Sequence, residues 1–203
     1  MVDPNEHPIE LVADRHGEWR EQFRAERERL RGALAEHDLL DAVVRIDHVG
    51  STAVAGLAAK DVVDVNVVVD DDAVAAVSTA VVDELGGDRH RNSEAWHPVF
   101  RRAKSEAGAD AEADGQYVNV HVFARSAAGW RASVATREAL RADADLREAY
   151  ERRKRELAAE TDDLTEYSVG KTDLVRRAVD LARGEGEPSV DFAVPPPETV
   201  GPD

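Results

Sequence analysis

The chain has no cysteine. Disulfides, thiolate zinc centres and cysteine nucleophiles are excluded with it. Lysine is nearly absent as well: four lysines stand against 22 arginines. Ammonium is a compact point charge and guanidinium a planar fork, so the two are not interchangeable. Where arginine has replaced lysine almost everywhere, the survivors Lys60, Lys104, Lys154 and Lys171 are marked as positions that need an ammonium. No apolar run approaches the roughly 20 residues of a membrane span. Met1 to Glu10 has no basic region followed by an apolar stretch and does not read as a signal peptide. A cytoplasmic protein with no membrane partner is the expectation.

Positive charge is also in short supply. The 26 basic residues face 42 acidic ones, for a formal charge of −16. Binding along a nucleic acid backbone draws on Lys and Arg that displace phosphate counterions, so this balance argues against a nucleic acid partner. It leaves room for a local basic groove inside an acidic shell. An acid-rich, lysine-poor, alanine- and valine-rich composition reads as halophilic, because high salt screens the self-repulsion. The 203 residues suffice for one domain with its own core.

Residues 1–10 are polar and contain proline, and read as an extended N-terminal arm. From Glu18 to Glu36 the apolar residues Trp19, Phe23, Leu30 and Leu34 fall on one helical face. Residues 42–49 read as a strand. Gly50 and Ser51 break it, and Thr52 is placed to cap a short helical turn through Leu57. Residues 62–69, VVDVNVVV, are nearly continuous β-branched residues and predict a buried central strand. Asp71 and Asp72 offer an N-cap for a helix from Ala73 to Leu85, closed by Gly86 and Gly87. Residues 88–124 predict a hairpin with arms at His97–Ala103 and Tyr117–Ala124 and a small, polar tip. Trp130 to Glu160 predicts two helices meeting near Asp143–Asp145, and Asp163 to Arg183 one last helix, with Asp163 and Glu166 as a capping-box variant. Residues 11–183 form the expected domain, and 184–203 read as a disordered tail. The element order suits an α+β domain, a mixed sheet with helices on one side.

The chemistry concentrates in DHVGSTAVAGLAAKDVVDVNVVV, Asp47 to Val69. A strand ends in Gly50-Ser51, a short turn follows, and the next strand carries Asp64 in its middle. Glycine permits close backbone approach, and N–H groups at a helix start suit a phosphate. A neighbouring Asp is suited to hold a divalent cation against the same phosphates. Asp64 equally suits a hydrogen bond to a loop. His121 alternates along its strand and is either a packed histidine or a ligand or general base; His48 stands before Gly50 with the same two readings. Arg45 and Asp47 share one strand face and suit a pair. Tyr150/Lys154 and Tyr167/Lys171 are each i,i+4 pairs, so each sets a phenol beside an ammonium. They form either a solvated helix surface or a cationic wall around an anionic ligand. The run of acids at Asp70–Asp72 reads as capping and solvated charge.

HVGSTAVAGLAAKDVVDV is similar to the signature of the GrpB-like family of the nucleotidyltransferase superfamily. WREQFRAERERL resembles that family's opening helix. Asn119 to Val122 matches its His-bearing strand, and Tyr150, Lys154, Leu157, Tyr167 and Lys171 match its C-terminal helices. The likeness spans roughly residues 9 to 183. It implies a nucleotidyltransferase-like mixed β-sheet flanked by helices, with C-terminal helices covering the site. It implies Gly50, Ser51, Thr52, Lys60, Lys154 and Lys171 as phosphate or ligand contacts, Asp64 and His121 as catalytic residues, and Asp64 as the ligand of one Mg²⁺. The implied partner is a nucleotide or other phosphorylated small molecule, including a coenzyme A precursor.

The chain departs from the pattern. Family members commonly carry Pro where Ala55 and Asp61 stand, which predicts a looser loop around Lys60. Active nucleotidyltransferases place a second acid where Asn66 stands and a third where the later strand offers only Asn119 and His121. Two-metal transfer needs such carboxylates. Asp47 and Glu94 are the candidate replacements. Three functions therefore compete: a binder of phosphorylated ligands with weak or no transfer activity, an active Mg²⁺-dependent nucleotidyltransferase acting on a small molecule or RNA end, and a protein-interaction domain.

Overall fold

The computed structural model describes residues 9–90, 92–102 and 117–183. The expected hairpin tip, Lys104 and the expected tail lie outside the described residues. Helix α1 spans His16–Glu36, followed by strands β1 (Val43–Val49) and β2 (Val62–Val69) and helix α2 (Val74–Leu85). Then come β3 (Asp88–Arg89), β4 (Trp96–Arg102), β5 (Tyr117–Ala124), α3 (Ala128–Ala142), α4 (Ala144–Glu160), α5 (Leu164–Val169) and α6 (Thr172–Arg183). The strands form one mixed sheet in the order β1-β2-β5-β4-β3. Only β2 and β5 run parallel; the other neighbours are antiparallel.

Period-two alternation decides what each face of this sheet does. Val63, Val65, Val67 and Val69 of β2 and Val118, Val120 and Val122 of β5 point to one side. They pack there on Trp19, Phe23, Leu30 and Leu34 of α1 and on Val74, Val77 and Val81 of α2. The other face carries Asp47 opposite Asn66, Val49 opposite Asp64, and Asn119 and His121 opposite Asp64 and Asn66. Trp130 and Val134 of α3 cover one end of that second face, over Val49, Val68 and Phe123. Helices thus lie on both faces, and not on one side as the element order suggested. Two all-valine faces back to back could not both be dry without cover. The sheet instead has one apolar face under α1 and α2 and one half-polar face, which the C-terminal helices roof over.

Three local expectations change. Asp71 does not cap α2, whose N-cap is Ala73 with no side-chain bond. Asp71 accepts the Ser126 backbone N–H at 2.9 Å instead and ties the start of α2 to the end of β5. The expected last helix breaks at Gly170 and Lys171 into α5 and α6. A Cβ on Gly170 would overlap Leu157, so glycine lets this corner press onto α4. Asp163 caps α5 through the N–H groups of Thr165 and Glu166, but Glu166 accepts from the Thr161 hydroxyl and does not close a capping box. Ile9, within the expected arm, is buried against Leu157 and Tyr167.

Candidate functional site

Gly50 leaves β1 with φ +73°, a conformation glycine tolerates and side chains rarely adopt. The turn after it is a single 3₁₀ turn, Ser51–Ala53, and not a helical run through Leu57. Its N–H groups at Ala53 and Val54 return to the carbonyls of Gly50 and Ser51. No α-helix N-terminus therefore faces a phosphate here. Thr52 caps nothing; its hydroxyl sits 3.0 Å from His48 Nε2. His48 is fully buried, stacks on Phe23 of α1 and lies on the apolar face, away from Asp64. Burial, with the positive charges of His16, Arg141 and Arg137 behind it, pushes its pKa down to about 3. It is a packed neutral histidine.

The half-polar face of the sheet opens into a cavity of about 190 Å³. Ser51, Thr52, Lys60, Asp64, Lys154 and Lys171 all line it, together with Asn119 of β5 and Tyr167 and Ser168 of α5. Gly50 does not. It borders a second cavity of about 200 Å³ behind the turn, against α3 and Tyr150. His121 stands beside Asp64 on the neighbouring strand, Nε2 3.6 Å from Oδ1, without lining the first cavity. Asn119 Nδ2 donates to the same oxygen at 3.2 Å. Tyr150 is buried and shares a hydrogen bond with Ser51; burial raises its pKa, and the Ser51 bond opposes that shift.

The three lysines arrive from different elements. Lys60 comes from the loop before β2. The loop that carries Ala55 and Asp61 is tied to its surroundings at several points. Val12 and Ala59 exchange backbone bonds of 2.8 and 3.0 Å, Gly56 N–H donates to Asp14, and Ala58 N–H donates to Glu151. Asp61 accepts from the Trp19 indole at 2.9 Å and from Arg15 at 2.5 Å, so an acid secures what a proline's rigidity would have. Lys154 of α4 is 1% exposed and donates to the Ala58 carbonyl. Lys171, at the corner between α5 and α6, sets its ammonium 3.9 Å from the Tyr167 ring centroid, a cation–π contact.

Burying like charges together has a cost, and the lysines carry it as lowered pKa values. Burial and then the Lys171 charge bring Lys154 down to about 7. Burial brings Lys171 down to about 8, with Asp64 opposing and Lys60 reinforcing. Lys60 is lowered by burial and held back by Asp64. Burial also raises the Tyr167 phenol. The cavity is thus rich in donors and poor in counter-charge, a setting that favours an anion.

The cavity's own side chains do not assemble a Mg²⁺ site; a single ion beside Asp64 would need phosphate oxygens and water to complete its shell. That ion wants near-octahedral oxygen at close range. Among the described residues Asp64 is the one acid lining the cavity, and no three His, Cys, Asp or Glu gather where they could hold a metal. Asn66 is fully buried under α3, with Nδ2 3.5 Å from the Trp130 carbonyl and Oδ1 unpaired. Asp47 is the buried partner of Arg45, at 2.5 and 2.7 Å, as their shared face predicted, and Arg137 stands 3.6 Å away. Its charge is spent on guanidinium. Glu94 is exposed in the turn before β4 and lines no part of the cavity. Neither residue supplies the absent carboxylate.

Sequence reasoning missed Trp96, whose indole N–H reaches His121 Nδ1 at 3.3 Å, and Arg137, which donates to the His48 carbonyl at 2.8 Å from a fully buried position. The former needed the register of β4 on β5; the latter is one arginine among many on a charged helix, with no local signal.

No helix among the described residues is long and apolar enough to cross a membrane. The family described as GrpB protein matches residues 8–180. A UPF0157 protein of Streptomyces coelicolor is 34% identical over 169 residues, covering 81% of this chain and 79% of its own. A UPF0157 protein of Deinococcus radiodurans is 30% identical over 178 residues, covering 86% and 82%. The crystal structure of the conserved protein GrpB from Enterococcus faecalis superposes with a TM-score of 0.65 at 19% identity, over 83% of this chain and 94% of that one. That likeness carries the fold, a mixed sheet flanked by helices. With a family match that runs from before α1 into α6, the chain belongs to the GrpB protein family.

Proposed function

We propose that this chain binds a nucleotide or other phosphorylated small molecule at the lysine-lined cavity and has weak or no nucleotidyl-transfer activity. One observation carries the reading: three of the four lysines meet at one cavity that, among the described residues, a single carboxylate lines. Ammonium groups are point charges that serve phosphate oxygens from any direction. Bringing three of them together without an anion is unfavourable, and a bound phosphate offsets that cost. The cavity is smaller than the roughly 300–1,000 Å³ of pockets that enclose a whole drug-sized ligand. It suits the phosphoryl portion, with the rest of the ligand at the mouth. Transfer chemistry asks for more, because two-metal catalysis needs carboxylates around both ions, and Asn66 and Asn119 stand where acids would be.

The test is thermal stability against nucleoside mono-, di- and triphosphates and coenzyme A precursors, at low and high salt. A ligand at a hundredfold excess over its Kd stabilises by about 2.7 kcal/mol. Stabilisation by phosphorylated compounds, absent for their nucleosides and lost in Lys171→Gln, is the expected result. Brisk pyrophosphate release from a nucleoside triphosphate, abolished in Asp64→Asn, would favour an active transferase instead. No response to any phosphorylated compound would leave a protein-interaction role.

A further inference from the structure

The partners of Asp64 are donors of protons, not ligands of a shared cation. Asn119 Nδ2 donates to Oδ1 at 3.2 Å, and His121 Nε2 stands 3.6 Å from the same oxygen. The Trp96 indole can only donate, so His121 Nδ1, 3.3 Å away, must accept. That leaves Nε2 as the ring nitrogen that donates, toward Asp64. The other charged groups lining the cavity among the described residues are cationic, Lys60, Lys154 and Lys171, and the Asp64 charge opposes the lowering of all three. A divalent ion placed here would meet one carboxylate, already holding N–H groups, and a wall of ammonium. A polyphosphate placed here would meet the ammonium groups alone once Asp64 yielded them.

We propose that Asp64 is an internal counter-ion of the lysine cluster and not a metal ligand, and that a polyphosphate chain binds the cluster in place of Asp64 with no divalent cation. This rests on the phosphate reading above and goes beyond it, because it fixes how the anion is neutralised. Asp64 repels the incoming phosphate across a short distance in a partly dry cavity, where such interactions are strong. Removing its charge therefore tightens anion binding, whereas removing a metal ligand abolishes it. The two roles predict opposite signs.

The experiment is calorimetric titration of the full chain with inorganic pyrophosphate and tripolyphosphate, in EDTA and in Mg²⁺. The native chain is compared with Asp64→Asn, which keeps the side-chain shape, and with Lys171→Gln. The expected result is binding in EDTA that Mg²⁺ does not strengthen, tightened about tenfold in Asp64→Asn and weakened at least tenfold in Lys171→Gln. Titration of the native chain with Mn²⁺ alone, read by the paramagnetic resonance of the free ion, gives an independent answer without any variant. No uptake of Mn²⁺ is expected. Binding seen only with Mg²⁺ and lost in Asp64→Asn, or stoichiometric Mn²⁺ uptake by the native chain, would overturn the counter-ion role while leaving the phosphate reading in place. Binding in EDTA that Lys171→Gln leaves unchanged would place the anion elsewhere and overturn it too. No binding of either probe under any condition would overturn both.

Discussion

Gly50 and Asp64 compete for one volume: a Cβ built on Gly50 would overlap the Asp64 carboxylate at Oδ2. The two residues face each other across the β1–β2 pair, where Val49 is the partner of Asp64 and the chain turns immediately afterwards. The glycine is required twice, by its φ of +73° and by the carboxylate that fills its empty side. Gly50→Ala is expected to cost about 1–3 kcal/mol from backbone conformation alone. It also swings Asp64 away from Asn119. Denaturant unfolding measures the first effect. The second appears as loss of the Asn119 side-chain amide shift that the Asp64 bond produces in NMR spectra.

Trp96 and His121 give a prediction about protonation. Nitrogen-15 shifts of the His121 ring, read at a pH high enough to deprotonate any histidine once, are expected to show a single tautomer with the proton on Nε2. Trp96→Phe keeps the stacking on Phe123, whose ring centroid lies 5.5 Å away, but removes the indole donor. The ring should then populate both tautomers. If the native protein already shows the Nδ1 proton, the indole bond does not set the tautomer, and His121 is free to act as a base toward the site.

Most of the fold was legible in the sequence, because its elements follow from local periodicity. The β2 run of valines around Asp64 and Asn66, the apolar stripe of α1 and the break at Asp143 all declare themselves within one element. The site was legible in part. Scarcity marked Lys60, Lys154 and Lys171, and the i,i+4 spacing set Lys171 on Tyr167. What stayed hidden depends on which face a residue takes or on distant register. His48 and Ser51 are three residues apart, yet one is sealed under Phe23 and the other lines the cavity. Asp71 resembled a helix cap and was claimed by Ser126, a partner that the β2–β5 pairing delivers.

A buried ion pair away from the site tests how the outer sheet is held. Glu26 of α1 is fully buried and accepts from Arg101 of β4 at 2.5 Å, and Arg101 also donates to the Leu85 carbonyl at the end of α2. One charge thus joins α1, α2 and β4. Arg29 also reaches Glu26, at 3.4 Å, so removing Arg101 leaves Glu26 one weaker partner, and removing Glu26 leaves the buried Arg101 charge with only the Leu85 carbonyl. The larger loss, toward about 3–5 kcal/mol, is expected for Glu26→Ala. Glu26→Ala is expected to unfold at clearly lower denaturant with an unchanged slope. Arg101→Met together with Glu26→Leu should recover much of the loss, because an apolar pair of similar volume avoids the desolvation. Failure of that double variant to recover would mean the Leu85 carbonyl, and not the ion pair, is the important contact.

The lysine cluster gives the pH dependence a definite sign. Lys154 sits at about 7 and Lys171 at about 8 in the ligand-free fold, chiefly because burial disfavours the charged forms. In the unfolded chain both return to the ordinary lysine value near 10.5. Between those limits the unfolded chain holds more protons than the fold, so raising the pH from about 7 toward 10 stabilises the native state through these groups. The penalty is full below pH 7, where both are charged and crowded. Ligand binding has the opposite slope. A phosphate favours the charged ammonium, so the complex takes up protons wherever the free site has lost them. At pH 8 the uptake should be about one proton per phosphate ligand bound, read by titration calorimetry in buffers of different ionisation enthalpy. Affinity should fall as the pH rises past 8 and level off below 7. Lys171→Gln should reduce the proton uptake and flatten the affinity profile, while Lys154→Met should remove the stability slope between about pH 7 and 8 and about half of it from there toward 10, the remainder belonging to Lys171. Binding with no proton uptake at pH 8 would mean that the ammonium groups stay charged in the free protein, and that crowding in the cavity is relieved by something other than proton loss.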